Sequence, residues 1–391
     1  MTAPQPLAGV RVLDLSRVLA GPWAGQLLAD YGADVIKVER PDSGDDTRGW
    51  GPPWWGDPAE RMAAYYLSAN RGKRSIAIDI ASAEGAALVK RLAQDADVLL
   101  ENYKVGQLAK YGLDVASLQA INPGLVYCSV TGYGQDGPYA QAAGYDFAIQ
   151  ATGGLMSVTG EKDGTPGSEP QKVGVAVSDL FTGVYAVTAI LAALLERQRT
   201  GRGRHIDAAL LDVQVAMLAN QGSNYLVGGK TPKRMGNAHV NIVPYQVFAT
   251  ADGHIVLAVG NDGQFQRFCA LAGRPEVGQD PRYRLNSSRV AHRDELVAQI
   301  AGWMRERSTQ QWIDRLEPEH VPCAPILELP QVFEHPQVRH RGLQVQGIDS
   351  RGRAMPMVAQ PMRFDGERAL AARPAPQLDE HGDPIRQGNA W

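Results

Sequence analysis

Over its first 130 residues the chain alternates short β-branched apolar runs with helical segments, and this alternation constrains its fold more than any other feature. VRVLDL at 10–15 reads as a strand, and AGP at 20–22 as a turn with proline near the first helical position. A helix over 23–31 carries Leu27 and Leu28 on its apolar face and stops at Gly32, before a second strand at 34–38. That unit is about the size of one βαβ crossover. The pattern repeats as a strand at 75–80, a helix at 83–96, a strand at 98–101, a helix at 115–121 and a strand at 125–130. Such alternation predicts a parallel sheet with helices on its faces, and ligands gather beyond the carboxyl ends of its strands. The segments 16–22, 39–50, 101–106 and 131–139 are therefore where the chemistry is expected.

A long apolar helix at 180–195, a strand at 205–210 and a helix at 212–226 extend this region. Around 227–241 the composition turns to Gly, Lys, Pro, Asn and His, which predicts a domain junction. A new αβ segment follows, with strands at 245–250 and 254–258 and helices within 263–272, 293–307 and 309–317. The expected division is a large domain over 1–226, a smaller α+β domain over 227–322, and a return segment over 323–391 whose tail, from 369, lies on the surface. A chain of 391 residues has room for this.

Composition narrows the function. Charged residues are 21% and the net charge is −3, with no long run of one sign, so a small-molecule substrate is expected rather than nucleic acid or an acidic membrane. The three cysteines, Cys128, Cys269 and Cys323, are widely spaced, which fits a reducing compartment and no thiolate metal site. The first nine residues do not read as a signal peptide, and a cytoplasmic location is expected. No GxGxxG follows a strand, Asn224 stands where a P-loop ending at Thr231 needs glycine, and GxSxG and HExxH are missing. Carboxylates remain as candidate nucleophiles. A carboxylate is ionised at neutral pH and attacks an acyl group without a general base.

The most suggestive one is Asp179. GVAVSDLFTG at 174–183 places it at the start of the long helix, where aspartate is a favoured N-cap. Gly174, Ala176 and Ser178 leave room for a ligand, and a helix N-terminus favours negative charge.

These residues belong to an ordered set of blocks: VLDLSRVLAGP at 12–22, GADVIKVERP at 32–41, GDDTR at 44–48, NRGKRS at 70–75, ENY at 101–103, TGYGQDGP at 131–138, the Asp179 block, and TGRG at 200–203. The set resembles the family III CoA-transferases (CaiB/BaiF type) over nearly the whole chain. RGWGPP at 48–53, GYD at 144–146, GLM at 154–156, NYL at 224–226, IVPYQ at 242–246 and GNDGQF at 260–265 resemble the branch that acts on succinyl-CoA and glutarate.

The resemblance implies a Rossmann-like large domain built from both ends of the chain, a smaller inserted domain, and an interlaced homodimer. It also implies catalysis by Asp179 through an aspartyl anhydride and an aspartyl-CoA thioester, helped by amides at the developing oxyanion. Coenzyme A enters as a substrate, and no permanently bound cofactor or metal is implied. Val18, Arg40, Asn70, Lys73, Asn102, Tyr103 and Lys110 match the family's CoA-binding positions. Arg48, Tyr145 and His239 are candidate acyl-site residues, and Arg48, Arg71 and Lys172 are candidate cations for a distal carboxylate. Leu19 replaces the glutamine of formyl-CoA transferases, the region at 236–242 is too short for their glycine-rich lid, and Asp379 replaces a glycine near the tail. Two alternatives stand beside transfer. An α-methylacyl-CoA racemase would need histidine at Tyr145, since an unperturbed tyrosine of pKa about 10 exchanges protons poorly near neutrality. The other is a non-catalytic acyl-CoA-binding protein.

Overall fold

The computed structural model describes residues 5–391. The chain forms two compact units. The larger contains the chain up to Leu155 together with Val173–Gly229 and His335–Trp391; the smaller contains Met156–Lys172 and Lys230–Glu334.

The larger unit is built on six parallel strands: β1 (Arg11–Asp14), β2 (Asp34–Glu39), β3 (Lys73–Ala77), β4 (Val98–Glu101), β5 (Val126–Thr131) and β6 (His205–Ala209). Their spatial order is β3-β2-β1-β4-β5-β6, the doubly wound order of dinucleotide-binding folds. Alternate residues of each strand enter opposite cores. Val12, Val35, Val98 and Val126 pack under α1 (Ala20–Asp30) and the long helix described below. Leu13, Ile36, Ile76, Leu99 and Tyr127 pack under α2 (Ala83–Asp95) and α3 (Val115–Ile121). Burial on both faces explains why these strands read as continuous apolar runs.

After β5 the chain forms α4 (Asp146–Thr152) and then α5 (Val177–Thr200), before β6 and α6 (Leu210–Ala216). Helix α5 runs further at both ends than the periodicity predicts. Its buried positions, Thr182, Gly183, Ala186, Val187, Ile190, Ala193 and Leu194, recur at helical spacing. By length and composition alone it could cross a membrane, but in this fold that stripe packs against α1 and the sheet.

The smaller unit is α+β. Strands β7 (Tyr245–Ala249), β8 (His254–Ala258) and β9 (Cys323–Pro325) form an antiparallel sheet in the order β9-β8-β7. Phe248, Ile255, Leu257, Phe265, Phe268, Trp303 and Trp312 fill its core. Its main stretch is bounded at 229/230 and 334/335, where the sequence places the limits at 226/227 and 322/323, and it also takes in Met156–Lys172, which the sequence assigns to the large domain. The physical reason for the later return is β9, which pairs Cys323 with Leu257 and so stays in the small sheet.

The tail does not lie on the surface as expected. Ala369, Ala375 and Ile385 are buried. Asp379 takes the left-handed conformation (φ +60°) that its replacement of glycine demands, which aspartate tolerates better than most residues. From there its Oδ1 accepts from Ala77 N at 2.8 Å, and its own N donates to Ser75 Oγ at 3.1 Å, docking the tail on the β3 edge.

Candidate active site

A cavity of about 450 Å³ opens at the carboxyl end of the sheet, where strand order reverses between β1 and β4. Its wall includes Arg17, Val18, Leu19 and Ala20 after β1, Asn102, Tyr103 and Lys104 after β4, Thr131 at the end of β5 with Gly132 after it, and Asp179. Two loops are sewn together at the switch point: Arg17 N donates to Asn102 Oδ1 at 2.9 Å, and Asn102 Nδ2 donates to Arg17 O at 2.7 Å. Tyr103 is set by Glu101, whose carboxylate accepts from its N–H at 2.8 Å. Burial pushes the Glu101 carboxyl up to about 7, against the pull of Ser129 and this amide.

Val18 sits in the wall with φ +71°, a left-handed conformation a β-branched residue adopts only under constraint. The constraint comes from below. Its N–H faces both oxygens of Asp45 at 3.3 Å, Asp45 pairs with Lys37 at 2.9 Å, and Lys37 also donates to Ser16 O at 2.8 Å. Burial raises the Asp45 carboxyl, but Lys37 and the Thr47 N–H outweigh it and hold the group at about 2.

Asp179 is not the N-cap of α5. That position is Ala176, whose side chain caps nothing, and Asp179 lies in the first turn. The capping acceptor comes from α4: Asp146 Oδ1 accepts from Ser178 N at 2.8 Å and from Asp179 N at 3.3 Å. Gln150, fully buried, holds the other Asp146 oxygen at 2.7 Å and accepts from Val173 N at 2.9 Å. Ser178 Oγ donates to Gln214 Oε1 at 2.6 Å. The amides of 178 and 179 are thus occupied by Asp146 and are not free to serve a developing oxyanion. Burial, with Asp146 adding like charge, pushes the Asp179 carboxyl up to about 7.

Glycines bring these elements together. A Cβ on Gly183 would stand 2.8 Å from Ala20 O, so α1 and α5 approach closely and carry the Val18 turn toward Asp179. A Cβ on Gly132 would stand 2.5 Å from the Gly144 Cα, which lets the 131–145 loop fold back on itself in the cavity wall.

The other expected site residues divide. Val18, Asn102, Tyr103 and Tyr145 line the cavity with Asp179, and Tyr145 is exposed. Arg40 is outside the wall but pairs at 2.5 Å with Asp46, which is in it and also binds Arg17 at 2.9 Å. Lys110 is exposed and away from the cavity lining. Asn70 and Lys73 are fully buried beneath the site: Lys73 Nζ reaches Asp14 at 2.8 Å, Pro22 O at 2.8 Å and Asn70 Oδ1 at 2.9 Å. Arg48 forms a bidentate pair with Glu39, both contacts at 2.8 Å, and also donates to Tyr66 Oη at 2.6 Å. Arg71 is buried against Asp30. Neither arginine is available to a substrate carboxylate. His239 and Lys172 belong to the smaller unit, where the His239 ring lies tilted against Tyr245, with 5.3 Å between ring centroids.

The model of CoA-transferase family III matches residues 7–382, and the chain belongs to that family. It is therefore a CoA-transferase. It is 52% identical to the succinate–glutarate CoA-transferase of Agrobacterium fabrum over 378 residues, covering 96% of this chain and 94% of that protein. It is 44% identical to the succinyl-CoA:glutarate CoA-transferase of Homo sapiens over 377 residues, covering 96% and 84%. Among solved structures, a CaiB/BaiF family protein of Brucella suis superposes with a TM-score of 0.86 at 49% identity, covering 99% of each chain.

Proposed function

We propose that the chain moves CoA between dicarboxylic acids, with succinyl-CoA as donor and glutarate or a related acid as acceptor, and that Asp179 is the nucleophile. The observation that carries this reading is a partly buried carboxylate in the wall of the cavity at the sheet's switch point. Relatives named for succinate and glutarate support the choice of acids.

In this reading Asp179 attacks the succinyl thioester carbon. The new C–O bond forms as the C–S bond breaks, and the electron pair leaves on the CoA sulfur. The thiolate then attacks the Asp179 carbonyl of the anhydride, releasing succinate and leaving CoA as a thioester on the enzyme. Glutarate attacks that thioester, and the released thiolate takes the glutaryl carbonyl, regenerating Asp179. The thioester's free energy is kept in the covalent intermediates, so no ATP is needed.

The nucleotide end of CoA lies along the Val18 turn and the Asn102–Tyr103–Lys104 segment, with Arg17 and Arg40 nearby. Charge-assisted hydrogen bonds suit its phosphates, and an aromatic face suits adenine. Asn70 and Lys73 serve this site from beneath, by fixing the β1 end. A homodimer fits the apolar side chains left exposed on α5 (Val184, Tyr185, Leu195) and at Leu226 and Val227.

The test is CoA exchange followed by mass spectrometry, with succinyl-CoA, a panel of carboxylic acids and no ATP. Glutaryl-CoA should form with the wild type and not with Asp179→Ala. Transfer that survives in the variant would overturn Asp179 as nucleophile, and hydrolysis without transfer to any acid would overturn the dicarboxylate assignment.

A further inference from the structure

We propose that Asp146 is a positioning residue for the transfer reaction: from helix α4 it aligns the first turn of α5 and holds the Asp179 carboxylate in a state poised for acylation. The proposal rests on the reading of Asp179 as nucleophile.

The geometry is unusual for a helix start. A helix N-terminus ordinarily offers free amides and partial positive charge, both of which stabilise a carboxylate in its first turn. Here a carboxylate from another helix takes the amides of Ser178 and of Asp179 itself. Asp146 is in turn fixed by Gln150, which is fully buried and also anchors Val173, in the segment leading into α5. Alignment therefore comes with a like charge beside the nucleophile.

The other groups around Asp179 do not cancel that charge. Tyr65, from Ala64–Ser68, is kept protonated by burial and by the Asp179 and Asp146 charges. Arg17, across the cavity, is paired with Asp46. Lys104 and Tyr103 stand on the β4 loop in the same wall. Burial and Asp146 are what lift the Asp179 carboxyl toward neutrality.

The consequence is specific to covalent catalysis. When Asp179 becomes an anhydride or a thioester its negative charge is gone, and so is the repulsion from Asp146. The pair raises the free carboxylate relative to every acylated state, which favours acyl capture. A more basic carboxylate is also the stronger nucleophile. Asp146 touches neither the acyl group nor CoA in this scheme; it acts through Asp179.

Asp146→Asn keeps the Oδ1 acceptor for Ser178 and removes the charge, while its Nδ2 then faces the Gln150 amide donor where Oδ2 accepted. Single-turnover formation of the covalent adduct from succinyl-CoA, followed by quench and mass spectrometry across pH, separates the two roles. For the wild type the acid limb should lie near pH 7. For Asp146→Asn it should move down by about one pH unit, with acylation at pH 8 slowed about three- to tenfold. Asp146→Glu restores the charge and should bring the limb back toward the wild-type position. A limb unmoved in Asp146→Asn, with Asp179→Ala inactive, would overturn the role of Asp146 and leave the nucleophile standing. Adduct formation in Asp179→Ala would overturn the nucleophile instead. Infrared titration of the wild type, with the Asp179 band assigned from Asp179→Asn, needs no Asp146 variant. Ionisation near pH 4 rather than near 7 would by itself overturn the proposal.

Discussion

Replacing Asp179 by asparagine should stabilise the protein at neutral pH while abolishing transfer. The carboxyl's ordinary value of 3.8 is raised to about 7, chiefly by burial and then by Asp146. The native state therefore holds this proton more tightly than the unfolded chain. Stability falls as pH rises across that window, and above it the ionised group costs about 4 kcal/mol at full strength. Relaxation and water entry reduce this to about 2–4 kcal/mol. Asparagine has the same shape and never ionises, so its advantage should be absent at pH 4 and grow toward pH 8. Urea unfolding at several pH values measures it as the difference in midpoint multiplied by the slope. A variant no more stable than the wild type at pH 8, or one with the same gain at pH 4, would refute the claim that Asp179 is a destabilised carboxylate.

Lys73→Met should lower stability by about 3–5 kcal/mol, because it leaves Asp14 buried without its cation; urea unfolding checks this, and unchanged stability with a raised KM for acyl-CoA would return Lys73 to direct ligand contact. Arg48→Met should likewise destabilise by about 3–5 kcal/mol through the stranded Glu39. In refolded Arg48→Met the KM for the acceptor acid should stay within about twofold, well under the tenfold that 1.4 kcal/mol of lost binding produces; a larger change in that KM would contradict the assignment. Gly183→Ala forces a methyl against Ala20 O and should cost about 1–3 kcal/mol. Because it separates α1 from α5 near Asp179, kcat should fall more than that loss of fold explains; full activity in a stable variant would show that the close approach does not matter.

The sheet was legible because both its faces are buried, so β1, β2, β4 and β5 announce themselves as apolar runs between helices. The place of Asp179 near a helix start was legible because small residues precede it and a long apolar stripe follows. Its environment was not, since the capping carboxylate comes from Asp146, 33 residues earlier and on a different helix. The same limit explains Arg48, Asn70 and Lys73: local sequence marks a lysine or arginine near a strand end but does not reveal that a carboxylate meets it in the interior. Lys73 and Asp14 are 59 residues apart. Lys104 directly follows the ENY block, yet nothing in its local sequence sets it apart from a surface lysine, and the burial of Glu101 in that block has no local mark either. The left-handed Val18 has no local signature at all, because glycine or asparagine is the usual mark of that conformation.

In the proposed reaction CoA passes through a covalent bond to Asp179, and peptide mapping of enzyme quenched during turnover looks for that bond itself. With succinyl-CoA and glutarate present, the peptide containing Asp179 should carry the mass of CoA as a thioester, and hydroxylamine should convert it to a hydroxamate at that residue. A CoA adduct on any other residue, or steady transfer with the Asp179 peptide unmodified throughout, would contradict the account.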